Sequence, residues 1–67
     1  MKLIIDFSEF NGIGEFNGMP IHQSTPLIIN KATDFITEEH LINESLVKWA
    51  LCDIDYAARN VVLILEI

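Results

Sequence analysis

The end of the chain constrains the fold most tightly. Residues 61–67 are β-branched or otherwise apolar, with Glu66 as the one exception. Such a run, without polar alternation, is typical of a strand covered on both faces. The sequence therefore predicts a central β-strand here. The unbroken apolar stretch, residues 61–65, is far shorter than the roughly 20 residues that a membrane-spanning helix needs.

The chain is short for its apolar content. Its 67 residues give room for one domain, residues 1–67, and 51% of them are hydrophobic. A domain of this size buries only about 60% of the surface that its unfolded chain exposes. The apolar excess therefore predicts either self-association or a surface that binds a partner.

Turn residues divide the first half of the chain. Residues 2–10 alternate as a strand does, and Asn11-Gly12 suits a type I′ turn that leads into a short returning strand at 13–16. Residues 17–26 contain Pro20 and Pro26, which favour extended backbone before them and indicate a loop. A third strand is expected at residues 27–30.

A long helix is expected in the second half. Thr37 can cap its N-terminus, Glu38 and Glu39 lie where the helix dipole favours acids, and Asn60 can end it in a left-handed conformation. The resulting order is β-β-β-α-β. The predicted fold class is α+β, a small, mostly antiparallel sheet of three to four strands with one long helix, residues 38–59, packed on one face.

The predicted helix has three faces. An apolar arc would face the sheet, and a solvated stripe would hold the ion pairs Glu44–Lys48 and Asp55–Arg59. A third face carries residues that recur every seventh position and predict a homodimer interface: Ile42, Trp49 and Tyr56. The alternative is that this ridge packs inside the domain, under the loop at 17–26.

The charge predicts the class of partner. Ten acids against four bases give a formal net charge of −6, which argues against direct binding of nucleic acid or of an anionic membrane. It suits a basic protein partner, or solubility alone. In size, acidity and lack of catalytic motifs the chain resembles small phage-encoded proteins that disable host factors, a resemblance of composition alone.

The leading hypothesis is a small acidic inhibitor that occupies a basic, DNA-binding protein, with carboxylates imitating DNA phosphates. The alternative is a structural homo-oligomeric subunit or an adaptor. The candidate partner-binding acids are spread along the chain: Glu9, Glu15, Glu38, Glu39, Glu44, Asp53 and Asp55, with Asp6 beside them. Because Glu44 and Asp55 would be paired within the helix, they would contribute less.

The sequence offers little equipment for catalysis or metal binding. Its only histidines and cysteine, His22, His40 and Cys52, are too few and too widely spaced for a structural zinc site. No nucleophile elbow or phosphate-binding loop is present. We therefore expect no enzyme activity and no cofactor. The single thiol and the lack of a signal-peptide core predict a cytoplasmic protein.

Overall fold

A computed structural model describes residues 1–66, and Ile67 lies outside the described residues. Its main elements are β1 (Lys2–Asp6), α1 (Ile21–Glu39), β2 (Asp53–Asp55) and β3 (Asn60–Ile64). Short 3₁₀ turns lie at Phe7–Glu9, Ile13–Phe16, Glu44–Leu46 and Trp49–Leu51. The α+β class, with one antiparallel sheet and one long helix, is confirmed.

The three strands form an open antiparallel sheet in the order β1-β3-β2. Ile5 of β1, Val61 of β3 and Ile54 of β2 are cross-strand neighbours, and all three are buried on the face that α1 covers. The predicted central position of the last strand is confirmed for the residues that the structure describes, whereas its predicted cover on both faces is wrong, because the residues of β3 that face away from α1 are only partly buried. Since α1 covers one face only, the alternate residues, among them Ile4 and Val62, lie on an outer face without a second layer.

The helix is not where the sequence analysis expects it. It spans residues 21–39, so the described order is β-α-β-β and not β-β-β-α-β. Residues 27–30, predicted as a strand, lie inside it. Their isoleucines belong to a single buried helical face whose members recur with helical spacing: Ile28, Ile29, Ala32, Thr33 and Ile36. This longer periodicity outweighs the local β-propensity of the stretch.

Pro26 lies within α1, although prolines in helix interiors lose a hydrogen bond and clash with the preceding turn. Tyr56, in the turn between β2 and β3, contacts the two helical residues immediately before Pro26. The Tyr56 hydroxyl lies 2.8 Å from Thr25 Oγ1 and 3.2 Å from Ser24 Oγ. Ser24 is only 3% exposed. Tertiary contacts thus stabilise a helical turn that the local sequence disfavours.

The predicted helix at 38–59 is wrong, because α1 ends at Glu39. Leu41 takes a left-handed φ of +56°, and the Ile42 N–H donates to the Ile36 carbonyl at 3.2 Å. Thr37 is therefore near a helix C-terminus and caps nothing. Two residues of the predicted apolar arc, Val47 and Ile54, are buried, but as members of extended segments. The other five residues of the predicted arc are not buried: Leu46, Ala50, Leu51, Ala57 and Ala58.

Two predicted turns also differ from the structure. Asn11-Gly12 is not a type I′ hairpin, since only Gly12 has a positive φ, of +94°, and a 3₁₀ turn follows in place of a returning strand. Between β2 and β3 the left-handed residue is Arg59, with a φ of +58°, while Asn60 already belongs to β3. The Ala58 N–H donates to Asp55 Oδ1 at 3.0 Å and closes that turn.

The Tyr56 contacts predict a measurable loss of stability. We expect Tyr56→Phe to lower the free energy of unfolding by about 1–2 kcal/mol, because two hydrogen bonds to the first helical turns are lost. Urea denaturation followed by circular dichroism measures the change. Thr25→Val removes one of the two bonds from the other side, so the two substitutions together should cost less than the sum of their separate effects. Strictly additive losses of stability would contradict a stabilising hydrogen bond between Tyr56 and Thr25.

Candidate functional site

A shallow depression of about 370 Å³ lies between the start of the chain and α1. Two phenylalanines, Phe10 and Phe35, line it, with their ring centroids 6.2 Å apart. Four carboxylates also line the depression: Glu9, Asp34, Glu38 and Glu39. We refer to these six residues as the acidic depression. Asn11 and Lys31 complete its lining.

α1 forms one side of the depression, and helical spacing brings its lining residues together. Asp34, Phe35 and Glu38 follow Lys31 at three, four and seven positions, which puts all four on one face of α1. Phe35 is half-buried against the core, and its ring also contacts that of His40, with centroids 5.3 Å apart. The helix therefore presents an aromatic surface with carboxylates next to it.

The segment after β1 forms the other side of the depression, and a capping box between Asp6 and Glu9 fixes its conformation. In the 3₁₀ turn after β1, the Ser8 N–H donates to Asp6 Oδ1 at 2.9 Å, and the Asp6 N–H donates to Glu9 Oε2 at 2.8 Å. Phe10 follows directly and is buried, with its ring at 6.5 Å from that of Phe7. The reciprocal bonds thus fix both Glu9 and the aromatic residue beside it.

The four carboxylates of the acidic depression have no cationic partner within residues 1–66. Lys31, which also lines the depression, instead pairs with Glu15 at 3.0 Å and lies 5.8 Å from the Phe16 ring centroid. All four acidic residues are exposed. The depression therefore concentrates negative charge that no ion pair within residues 1–66 compensates.

The predicted acids do not form one surface. Glu9, Glu38 and Glu39 lie together, whereas Glu15 pairs with Lys31 and Glu44 lies in a separate 3₁₀ turn. Sequence reasoning missed Asp34, which precedes Glu38 by four residues. That spacing would have revealed Asp34 only if the helix had been placed correctly.

The remaining aspartates lie on the outer face of the sheet. Asp6 and Asp55 flank Asn60 in neighbouring strands, and Asp53 is the neighbour of Val62. Each has a local structural role: Asp53 Oδ1 accepts from the Ile54 N–H at 2.8 Å, and Asp55 closes the β2–β3 turn. The predicted helical pairs Glu44–Lys48 and Asp55–Arg59 are absent from the described residues, where Lys48 pairs with Glu66 at 3.7 Å.

The three residues predicted to form a dimer interface do not lie on one helix. Ile42 follows α1 and packs against the core, Trp49 is in a 3₁₀ turn and 46% exposed, and Tyr56 is in the β2–β3 turn. The prediction that these three residues form a ridge along one helix is therefore wrong. Their contact with a second copy stays a prediction.

The chemistry of the depression suits a cationic side chain. Carboxylates accept charge-assisted hydrogen bonds from guanidinium or ammonium groups, and aromatic rings attract the same cations. Within residues 1–66 no three acids, histidines or cysteines are grouped closely enough to hold a metal ion. The carboxylates and rings of the depression therefore have the chemistry to accept a guanidinium or ammonium group.

Comparisons of the chain with protein-family models, with curated proteins and with solved structures find no match. In residues 1–66 no helix has both the length and the apolar character that crossing a bilayer requires.

The capping box predicts a pH dependence. The hydrogen bond from the Ser8 N–H, and then that from the Ser8 hydroxyl, hold the pKa of Asp6 below its ordinary value of 3.8. Desolvation opposes them, and the charge of Arg59 adds the smallest lowering effect. A lowered folded-state pKa stabilises the fold above the unfolded value and loses that effect as the pH falls through the folded one. We expect wild type to exceed Asp6→Asn in stability at pH 7, with the difference decreasing as the pH falls below 3.8 and through the lower folded-state pKa. Urea denaturation across that range measures it, and a constant difference would contradict the assignment.

Proposed function

We propose that this chain is a small, non-enzymatic, acidic protein-binding module that occupies a basic surface of a partner protein through the acidic depression. The single observation that carries the proposal is four uncompensated carboxylates beside two aromatic rings in one concave surface. The expected location in the cytoplasm belongs to the same proposal.

The aromatic rings favour arginine over lysine as the group that the partner inserts. A guanidinium is planar, stacks on aromatic rings and forms paired hydrogen bonds with carboxylates, whereas an ammonium is a compact, strongly hydrated charge. Phe35 offers a partly exposed ring, and Asp34 and Glu38 lie next to it on α1. A partner with exposed arginines is thus the preferred class.

The net charge of −6 supports the same proposal over a longer range. Opposite charges steer two proteins together before they touch, and this increases the association rate more than the final affinity. Screening by salt shortens the range of the effect. Binding to the basic partner should therefore weaken as the ionic strength rises.

Imitation of DNA is the more specific form of the proposal. It requires acids along one extended surface, because duplex DNA carries about one charge per 1.7 Å of its axis. The distribution of acids over the helix side and the outer sheet face favours a compact docking site instead. In either form the module acts as an inhibitor if the basic surface that it covers is a DNA-binding one.

A structural subunit or adaptor is the second candidate. It is favoured by one observation: on the outer sheet face, as far as residues 1–66 describe it, Ile4 is exposed and Val62 and Ile64 are only partly buried. Exposed apolar residues bordered by polar ones are common at protein interfaces. This role does not require the acidic depression.

Charge removal tests the principal proposal with an arginine-rich peptide as the probe. We expect Glu38→Gln with Glu39→Gln to weaken binding of the peptide about three- to tenfold, since two favourable electrostatic contacts are lost. The matched control, Glu44→Gln with Glu66→Gln, removes the same charge elsewhere and should have a smaller effect. Isothermal titration calorimetry at about 50 mM and 500 mM salt measures both. Equal losses of affinity in the two double variants would contradict a localised site. An affinity that is the same at both salt concentrations would contradict an electrostatic one.

Competition with DNA tests the more specific form. A basic protein captured from the natural host should bind either DNA or this protein, and the two should displace each other in fluorescence anisotropy. Displacement should fail with the Glu38→Gln, Glu39→Gln variant. A ternary complex of the partner with both ligands would rule out DNA mimicry.

A further inference from the structure

The two edges of the sheet are protected to different degrees. At one edge of the sheet, β2 is short. The 3₁₀ turn Trp49–Leu51 separates β2 from the next residue that pairs on this side, Val47, which forms a bridge with Leu65. The outward N–H of Ile54 is occupied by the Asp53 carboxylate. Interruptions and local capping of this kind discourage a further strand from pairing. The β2 edge is thus closed.

The β1 edge lacks such protection. Hydrogen bonds at its two ends, from the Leu65 N–H to the Met1 carbonyl and from the Phe7 N–H to the Arg59 carbonyl, show that odd-numbered residues bond to β3. By alternation, the N–H and C=O groups of Lys2 and Ile4 point away from the sheet. Both residues are exposed, Ile4 by 54%. No group among residues 1–66 bonds to these four backbone atoms.

The next outward group along β1 is already occupied. The Asp6 N–H donates to the Glu9 carboxylate, and the 3₁₀ turn Phe7–Glu9 then ends the strand. The unpaired part of the edge is therefore a short segment centred on Leu3, with one donor and one acceptor on each side of it. A segment of this form is complementary to an antiparallel copy of itself.

We propose that β1 pairs with β1 of a second copy of this chain, antiparallel and about a two-fold axis at Leu3. Lys2 then lies opposite Ile4 of the second copy, and Ile4 opposite Lys2. All four unpaired backbone groups of each chain gain a partner, and the two three-stranded sheets become one of six strands. This interface differs from that predicted at Ile42, Trp49 and Tyr56.

The side chains favour a second copy over another strand. On the outer face, the methylene stem of Lys2 would cover exposed Ile4 of the second copy. Asp6 of that copy lies two residues further along the same face, at a diagonal position that a lysine can reach. Two-fold symmetry repeats both contacts, so each apolar and each charged group has a complement.

Sedimentation equilibrium between about 10 µM and 1 mM tests the proposal. We expect a concentration-dependent dimer, with the amides of Lys2 and Ile4 becoming protected from hydrogen exchange as it forms. Ile4→Pro removes an N–H that bonds to nothing within one copy, at a position where edge strands tolerate proline. It should weaken the dimer about tenfold or more while the circular dichroism spectrum is retained.

Charge reversal gives a second test that does not depend on proline being tolerated. Lys2→Glu should weaken the dimer, because glutamate would meet Asp6 of the second copy, whereas the control Lys48→Glu should leave it unchanged. A monomer at every concentration would overturn the proposal. So would a dimer that resists Lys2→Glu, or one that dissociates instead with Trp49→Ala while the circular dichroism spectrum is retained.

Discussion

The structure depends on hydrogen bonding of β3 on both of its sides. β3 joins β1 and β2, which are separated in the sequence by the whole of α1, and its inner face supplies Val61 and Leu63, which are fully buried. α1 packs across β3 and β2 with its row of isoleucines and small residues. In a chain of this length, one strand therefore supplies the centre of the sheet and much of the core.

The acidic depression follows from the same arrangement. Because α1 is held against β3, its next face carries Asp34, Phe35 and Glu38 towards the segment that leaves β1. That segment is fixed by the capping box and by burial of Phe7 and Phe10 in the core. The carboxylates are thus held by two elements that the sheet positions, while the β1 edge on the sheet itself remains unpaired. The proposed partner site and the proposed dimer interface therefore use different parts of one scaffold.

Local sequence predicts the strands at the two ends of the chain but not the segment between them. The β-branched run after Asn60 and the alternation after Met1 indicate strands by their residue types, and the buried face of each strand is apolar, although the run also led to the wrong expectation that both faces of β3 are covered. The helix is misplaced because its strongest local signals, Pro26 and the β-branched Ile28 and Ile29, oppose it, while a tyrosine thirty residues later stabilises it. The apolar spacing in residues 38–59 imitates a helix, yet it combines 3₁₀ turns with an edge strand. Among the four acids of the acidic depression, the sequence nominates Glu9, Glu38 and Glu39 as partner-binding candidates. It misses Asp34, because Asp34 lies on a helix that local sequence does not predict.

Native-state hydrogen exchange tests the central role of β3 most directly. The Leu63 N–H faces β1 and the Val62 N–H faces β2, so the two report separately on the two sides of the strand. The account predicts that both amides exchange only through global unfolding, with the same free energy as urea denaturation gives. Exchange of either amide through a lower-energy local opening, while α1 amides remain protected, would contradict the dependence of the fold on β3.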